Sequence, residues 1–295
     1  MPTIGARLKH DGTLQTAGEL DEYNATKHSV TVDNIFALEF DEISLDTAAP
    51  SGGSLVFNGT SQKLLLSGAA DFSFGTNDFT IEGWFYTTSE LYQRLWCFPD
   101  GDNVEIMGTN IYYWNGGGTI AQAGTGTLRL WSWFHIALVK LDGEVTVYYN
   151  GTAVITDSSP FPSTTSRPLA ICGELPTDVE GHQDLTGADG WFKGYMTNFR
   201  IRKGTAAYTA DFNISYSPLT AEPNTKLLLT VANKAGMITD TSGTSKTVSN
   251  VGGAVYDGSS PLSTAGNGVM KQLKTGTLQV TNEFDEYIGG AASIS

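Results

Sequence analysis

Between Trp131 and Gly151 apolar and polar residues alternate with a period of two, the pattern of a half-buried strand. Phe134, Ile136 and Leu138 fall on one face, and His135, Ala137 and Val139 on the other. The run breaks at Asp142-Gly143, a pair suited to the positive φ angles of a two-residue hairpin turn, and resumes with Val145, Val147 and Tyr149 before Asn150-Gly151 turns the chain again. A hairpin of this kind cannot bury its apolar face alone and predicts a second sheet against it. Short strand-like runs at 54–57, 63–66, 79–86, 94–98, 111–114, 127–130, 168–172 and 225–231 follow one another with turn residues between. Trp191–Arg202 reads as a long strand, with Tyr195, Thr197, Phe199 and Ile201 facing the core and Met196, Asn198, Arg200 and Arg202 facing away. No segment keeps a helical period. The pattern therefore predicts an all-β protein built as a sandwich or barrel.

The same pattern divides the chain. Residues 1–49 carry short strand-like pieces among polar residues and read as an N-terminal arm, ended by Ala49-Pro50-Ser51-Gly52-Gly53. Residues 50–231 form the main body, 232–268 turn rich in Gly, Ser, Thr and Asn and read as a loop-rich extension, and 269–295 form a C-terminal arm. The arms share a repeat. Gly12-Thr13-Leu14-Gln15, then Glu19-Leu20-Asp21-Glu22-Tyr23, is matched by Gly276-Thr277-Leu278-Gln279, then Glu283-Phe284-Asp285-Glu286-Tyr287, with eight of twelve aligned positions identical. Leu14, Glu19, Asp21, Tyr23, Leu278, Glu283, Asp285 and Tyr287 are thus candidate assembly residues. Two equivalent strand segments can pair with each other to cover a sheet edge, or with a neighbouring subunit or a scaffold of repeated docking sites.

Composition narrows the function classes. The net charge of −14 speaks against nucleic acid, whose binding draws on Lys and Arg neutralising phosphates. Cys97 and Cys172 are too few for a disulfide framework and lie in strand-like runs, which predicts buried free thiols. The first residues lack a signal-peptide core, and no run is long enough to insert in a membrane, so the expectation is a protein made in a cytoplasm. His10, His28, His135 and His182 show no zinc-ligand spacing, and Asn115-Gly116-Gly117-Gly118 lacks the Lys of a phosphate loop.

Five segments in order, 54–60, 78–86, 133–139, 147–151 and 194–201, resemble the concanavalin A-like, laminin-G-like jelly-roll family. The resemblance implies a two-sheet antiparallel jelly-roll sandwich, here with N- and C-terminal β-rich arms. The segment Arg202-Lys203-Gly204-Thr205-Ala206-Ala207-Tyr208-Thr209-Ala210-Asp211-Phe212 is similar to modules in virion proteins of tailed bacteriophages, especially marine ones. Glycosidases share this architecture and need two closely placed carboxyl groups, given in the glucanase relatives as Glu-x-Asp-x-Glu or with one more spacer. Glu39-Phe40-Asp41-Glu42, Glu19-Leu20-Asp21-Glu22 and Glu283-Phe284-Asp285-Glu286 each lack the second Glu at that spacing, so no enzyme is expected.

Two loop clusters remain as candidate sites. Asp100, Asp102 and Asn103 with Trp114 and Asn115 combine carboxylates, amides and an indole of the sort that grip a sugar. Asp178, Asp184 and Asp189 lie in an acidic loop that offers oxygen ligands to calcium, as laminin-G-like modules often do, without the ordered spacing of an EF-hand. Calcium is the one cofactor the residues point to, and a solvated turn-rich loop is the plainer account of both clusters. Together these features predict a structural virion protein at the particle surface, a capsid decoration or fibre component held by its arms. Its expected partners are other virion proteins and further copies of itself. The alternative is a lectin-like module that recognises host cell-surface polysaccharide.

Overall fold

The computed structural model describes residues 52–116, 120–124, 126–158, 166–175, 190–235 and 238–262, together with short strands outside them. The chain divides into two compact units, one of residues 50–266 and one that combines 1–49 with 267–295. In the second of these, β1 (Thr31–Val32) pairs with β2 (Phe36–Ala37). The remaining strands are β3 (Ser54–Asn58), β4 (Lys63–Ala69), β5 (Phe79–Thr87), β6 (Gln93–Cys97), β7 (Asn103–Met107), β8 (Asn110–Trp114), β9 (Ile120–Gln122), β10 (Trp133–Leu141), β11 (Glu144–Tyr149), β12 (Thr152–Asp157), β13 (Arg167–Ile171), β14 (Lys193–Lys203), β15 (Thr225–Leu229), β16 (Val248–Val251) and β17 (Val255–Asp257), followed by β18 (Lys271–Gln272), β19 (Thr277–Gln279) and β20 (Ala292–Ser293). The last three form a small sheet with β19 at its centre. Leu278 is in β19, whereas Leu14, Glu19, Asp21, Tyr23, Glu283, Asp285 and Tyr287 lie outside the described residues.

The larger unit is an antiparallel sandwich. One sheet runs β12-β11-β10-β5-β14-β3-β17, with β15 also paired to β14, and the other runs β16-β4-β13-β6-β7-β8-β9. Between them lies one apolar core drawn from both sheets, including Phe57, Ile81, Phe85, Trp96, Ile136 and Phe199. The hairpin β10–β11 sits as its alternation predicts: Phe134, Ile136, Leu138, Val145 and Val147 enter the core, and Ala137 and Val139 join Tyr148 on the outer face. Its turn uses Asp142 at φ +50° and Gly143 at φ +90°, the positive angles that a type I′ turn requires.

Two features differ from the pattern read along the chain, one at 127–130 and one in the segment 232–268. Residues 127–130 are not a strand; Leu128 is a buried loop residue whose N–H bonds the Thr109 carbonyl. Asn58-Gly59 forms a corner between sheets, where Asn58 Oδ1 accepts the N–H groups of Thr60 and Ser61. The segment expected to be loop-rich builds a second corner on the first: β16 extends one sheet beside β4, and β17 extends the other beside β3. Gln62 Nε2 ties the corners by donating to Gly252 O and Gly253 O at 3.2 and 2.9 Å. Among the described residues, no helix is long and apolar enough to cross a membrane.

The outer face of the β5-bearing sheet is largely sealed by the chain that follows β14. Tyr208 and Phe212 stack at 3.5 Å and pack on Tyr148, and Ile214, Tyr216 and Leu262 gather around Trp84. Beneath this strap, Glu82 accepts Arg200 Nη2 at 2.6 Å and the Tyr208 hydroxyl at 2.7 Å, with His135 Nε2 at 3.4 Å. Arg200 in turn reaches Glu222 at 2.5 Å. Glu82, Arg200, Tyr208 and His135 Nε2 are thus paired with one another, as burial requires, while His135 Nδ1 has no hydrogen-bond partner among the described residues.

Candidate functional site: an aromatic cluster on the outer face

Where the strap ends, the outer face opens. In the order β10-β5-β14, Trp133 is in register with Tyr86, and Tyr86 with Tyr195. All three side chains are half-buried. Their ring centroids lie 5.7 Å (Tyr86–Trp133), 5.4 Å (Tyr86–Tyr195) and 6.2 Å (Trp133–Tyr195) apart. The side chains from the two flanking strands therefore lean together over the central one. Burial raises the pKa of both phenols, reinforced at Tyr86 by Tyr195 and at Tyr195 by Asp257, so both hydroxyls stay protonated and able to donate. Gly194 lets β14 close on β5 beneath the cluster, because a Cβ there would collide with the Tyr86 carbonyl oxygen.

Tyr195 reaches this face against the reading of β14 as a regular strand. A register shift lies between Thr197 and Arg200, and Asn198 within it has φ +50°. This is a β-bulge, which exchanges the faces before and after it. Met196 points into the core ahead of the bulge, Phe199 and Ile201 after it, and Tyr195 turns outward. The signal in the sequence is Asn198 itself, since Asn is among the few side chains that tolerate the left-handed region. Its side chain is then used: Oδ1 accepts the Leu219 N–H at 2.6 Å and anchors the strap.

Next to the cluster stands Trp131, 60% exposed and held at φ +62°. Its N–H bonds the carbonyl of Thr87, the residue after Tyr86 on β5. Lys193 and Asn58, paired across β14 and β3, are exposed at the same end of these strands.

Of the residues expected to grip a sugar, Asp100 and Asp102 meet around an arginine. Asp100 and Asp102 lie in the turn between β6 and β7, and Arg167 of β13 fills it: Nε faces Asp100 Oδ1 at 2.6 Å, Nη1 faces Asp102 Oδ2 at 2.5 Å and Nη2 donates to Gly101 O at 2.6 Å. The guanidinium carbon sits 4.2 Å from the Phe98 ring centroid. Asp102 is fully buried, and burial pushes its carboxyl up against the pull of Arg167. Asn103 is buried too and closes the turn by accepting from Phe98 N–H and donating to Phe98 O. Asn115 donates to Asp157 at 2.8 Å, and Trp114 is 4% exposed. Asp100 and Asp102 thus form an internal lock with Arg167, and of the five residues Asp100 is the least buried. Asp178, Asp184 and Asp189 lie outside the described residues, and no metal-holding group of three or more His, Cys, Asp or Glu occurs among the described ones. Cys97 and Cys172 are buried thiols.

A sequence profile of the Concanavalin A-like lectin/glucanases superfamily matches residues 58–207, just over half of the chain. No curated protein sequence matches. Similar solved structures include a Bacteroides ovatus protein whose name proposes carbohydrate binding (14% identity, TM-score 0.47, covering 70% of this chain and 62% of that one). Domains LG4-5 of the mouse laminin alpha1 chain follow at 18% identity and TM-score 0.40, covering 55% of this chain and 45% of that one. The CBM40 domain of a Ruminococcus gnavus IT-sialidase is similar at 14% identity and TM-score 0.38, covering 53% of this chain and 92% of the domain. The chain thus spans under two thirds of the first two.

Proposed function

The chain belongs to the Concanavalin A-like lectin/glucanases superfamily, and from that premise we propose that it is a non-catalytic, lectin-like carbohydrate-binding protein whose ligand stacks on Trp133, Tyr86 and Tyr195. One observation carries this reading: three aromatic side chains from three adjacent strands converge, partly exposed, on an outer face that the strap covers elsewhere only in part. Aromatic faces bind the C–H faces of sugars, and protonated phenols beside them supply directed hydrogen bonds. Binding rather than hydrolysis is supported by the buried carboxylates among the described residues. Glu82, Asp102, Glu105 and Glu174 each face an arginine, so none is held ready for a glycosidic bond.

The test is a glycan array followed by calorimetric titration of the best hits, in calcium and in chelator. Trp133→Ala and Tyr195→Ala are expected to lower affinity about tenfold each with an unchanged far-UV spectrum. Unaltered affinity in both variants would overturn the assignment. The chelator arm addresses the proposal that Asp178, Asp184 and Asp189 hold calcium.

The repeated segments favour a second, compatible reading, in which the terminal unit attaches the sandwich to the surface of a phage particle and glycan binding serves host contact. The matching segments at the two ends, grouped in a unit separate from the sandwich, support it. Deleting residues 1–24 should then abolish co-sedimentation with particles while the sandwich stays folded, and unaltered incorporation would contradict it.

A further inference from the structure

The geometry of the outer-face cluster points to a narrower ligand class, and we infer that it takes a single soluble chain of neutral polysaccharide, with Trp131 as a second stacking point. This rests on the glycan reading above.

The ring angles carry the first part. Trp133 and Tyr86 are inclined at 62°, Tyr86 and Tyr195 at 90°, and Trp133 and Tyr195 at 56°. A surface that lies flat on crystalline polysaccharide needs rings in one plane. A faceted cluster presents separate faces, which suit the successive sugars of one chain that can bend to meet them.

Trp131 carries the second part. An indole with 60% exposure is unusual in a soluble domain, and φ +62° is a region that bulky L-residues seldom occupy. Backbone strain of this kind persists where the surroundings impose it and gathers at ligand clamps. Here the imposing contact is the Trp131 N–H bond to Thr87 O at 3.0 Å. Trp131 is two residues from Trp133, so their Cα atoms are at most about 7 Å apart. A chain lying on Trp133 passes Trp131 with its next sugars, whereas a monosaccharide occupies one position only.

Charge carries the third part. The chain has a net charge of −14, which repels polyanionic glycans at long range. At the cluster, the Asp257 carboxylate bears on Tyr195, which puts a negative charge beside the site.

The experiment titrates the full chain with gluco-, manno- and galacto-oligosaccharides of one to six units and with polygalacturonate oligomers of matched length, and adds a pull-down with microcrystalline cellulose. The expected result is affinity for a neutral series that rises with length, with no retention on the insoluble polymer. Trp131→Ala should flatten the rise, losing about threefold to tenfold on the longest oligomers, and Trp131→Phe should restore most of it. Length-independent affinity, tighter binding of the acidic oligomers, retention on cellulose, or a Trp131→Ala variant that binds the whole series like the parent would overturn the inference and leave the glycan reading standing. Failure of the parent chain to bind any probe, here and on the array, would overturn both.

Discussion

Arg167 is 1% exposed, and each of its nitrogens faces the turn between β6 and β7. Removing it would leave the fully buried Asp102, and the partly exposed Asp100 beside it, without their counter-charge. Arg167→Leu should therefore lower unfolding stability by about 3–5 kcal/mol, read as a fall in denaturation midpoint. Glycan affinity of the fraction that remains folded should be unchanged, because the cluster lies on the other sheet. A stability loss below 1 kcal/mol would contradict the lock. Trp131 should behave oppositely. Its left-handed backbone costs about 1–2 kcal/mol, so Trp131→Gly should leave the melting temperature level or raise it while weakening binding to long oligosaccharides. A residue whose loss relieves strain and removes binding is held for its ligand. The lock was hidden in the sequence because an Asp in a turn looks alike whether it faces a sugar or an arginine brought from some sixty-five residues away.

At the scale of elements, the hairpin β10–β11 was legible because alternation and turn chemistry agree over its whole length. β14 was legible only from Phe199 onward; ahead of Asn198 the bulge reverses the faces, turning Met196 inward and Tyr195 outward. Local patterning cannot register such a shift, since it is set by pairing with β5. The strap beyond β14 was equally silent: its aromatic residues resemble core residues, and they do pack, but on the outer face. Beneath it, burial pushes the Glu82 carboxyl up, yet the hydrogen bond from His135, the charges of Arg200 and His135, and the Tyr208 hydroxyl more than offset this and hold it at about 2. A carboxyl whose folded pKa lies below its ordinary value of 4.5 stabilises the fold above that value and loses the contribution as pH falls toward 2. The loss should be about 3 kcal/mol. Chemical denaturation between pH 6 and pH 2 should show this decline in the parent, and Glu82→Gln, less stable at neutral pH, should show a flatter one. Parallel profiles would contradict the role given to Glu82.

For the molecule as a whole, the sandwich was predictable from the succession of short strands, but its extent was not. Val248, Val251 and Val255 are spaced among Gly, Ser and Asn and carry too little apolar pattern to read as strands, yet they supply an edge to each sheet. The compact unit that holds the sandwich is residues 50–266, which takes in β16 and β17. A fragment of residues 50–266 should fold and unfold cooperatively, whereas one ending at 231 should aggregate or melt well below it, as scanning calorimetry would record. The central claim is that the half-exposed cluster of Trp133, Tyr86 and Tyr195 is where this protein meets its ligand. Chemical-shift mapping of the labelled chain during titration with the tightest oligosaccharide tests it most directly. The account predicts the largest shifts at Tyr86, Trp133, Tyr195 and the Trp131 indole, with the turn at 100–103 unmoved. Shifts centred on that turn, or on the sealed face around Tyr208 and Phe212, would contradict it.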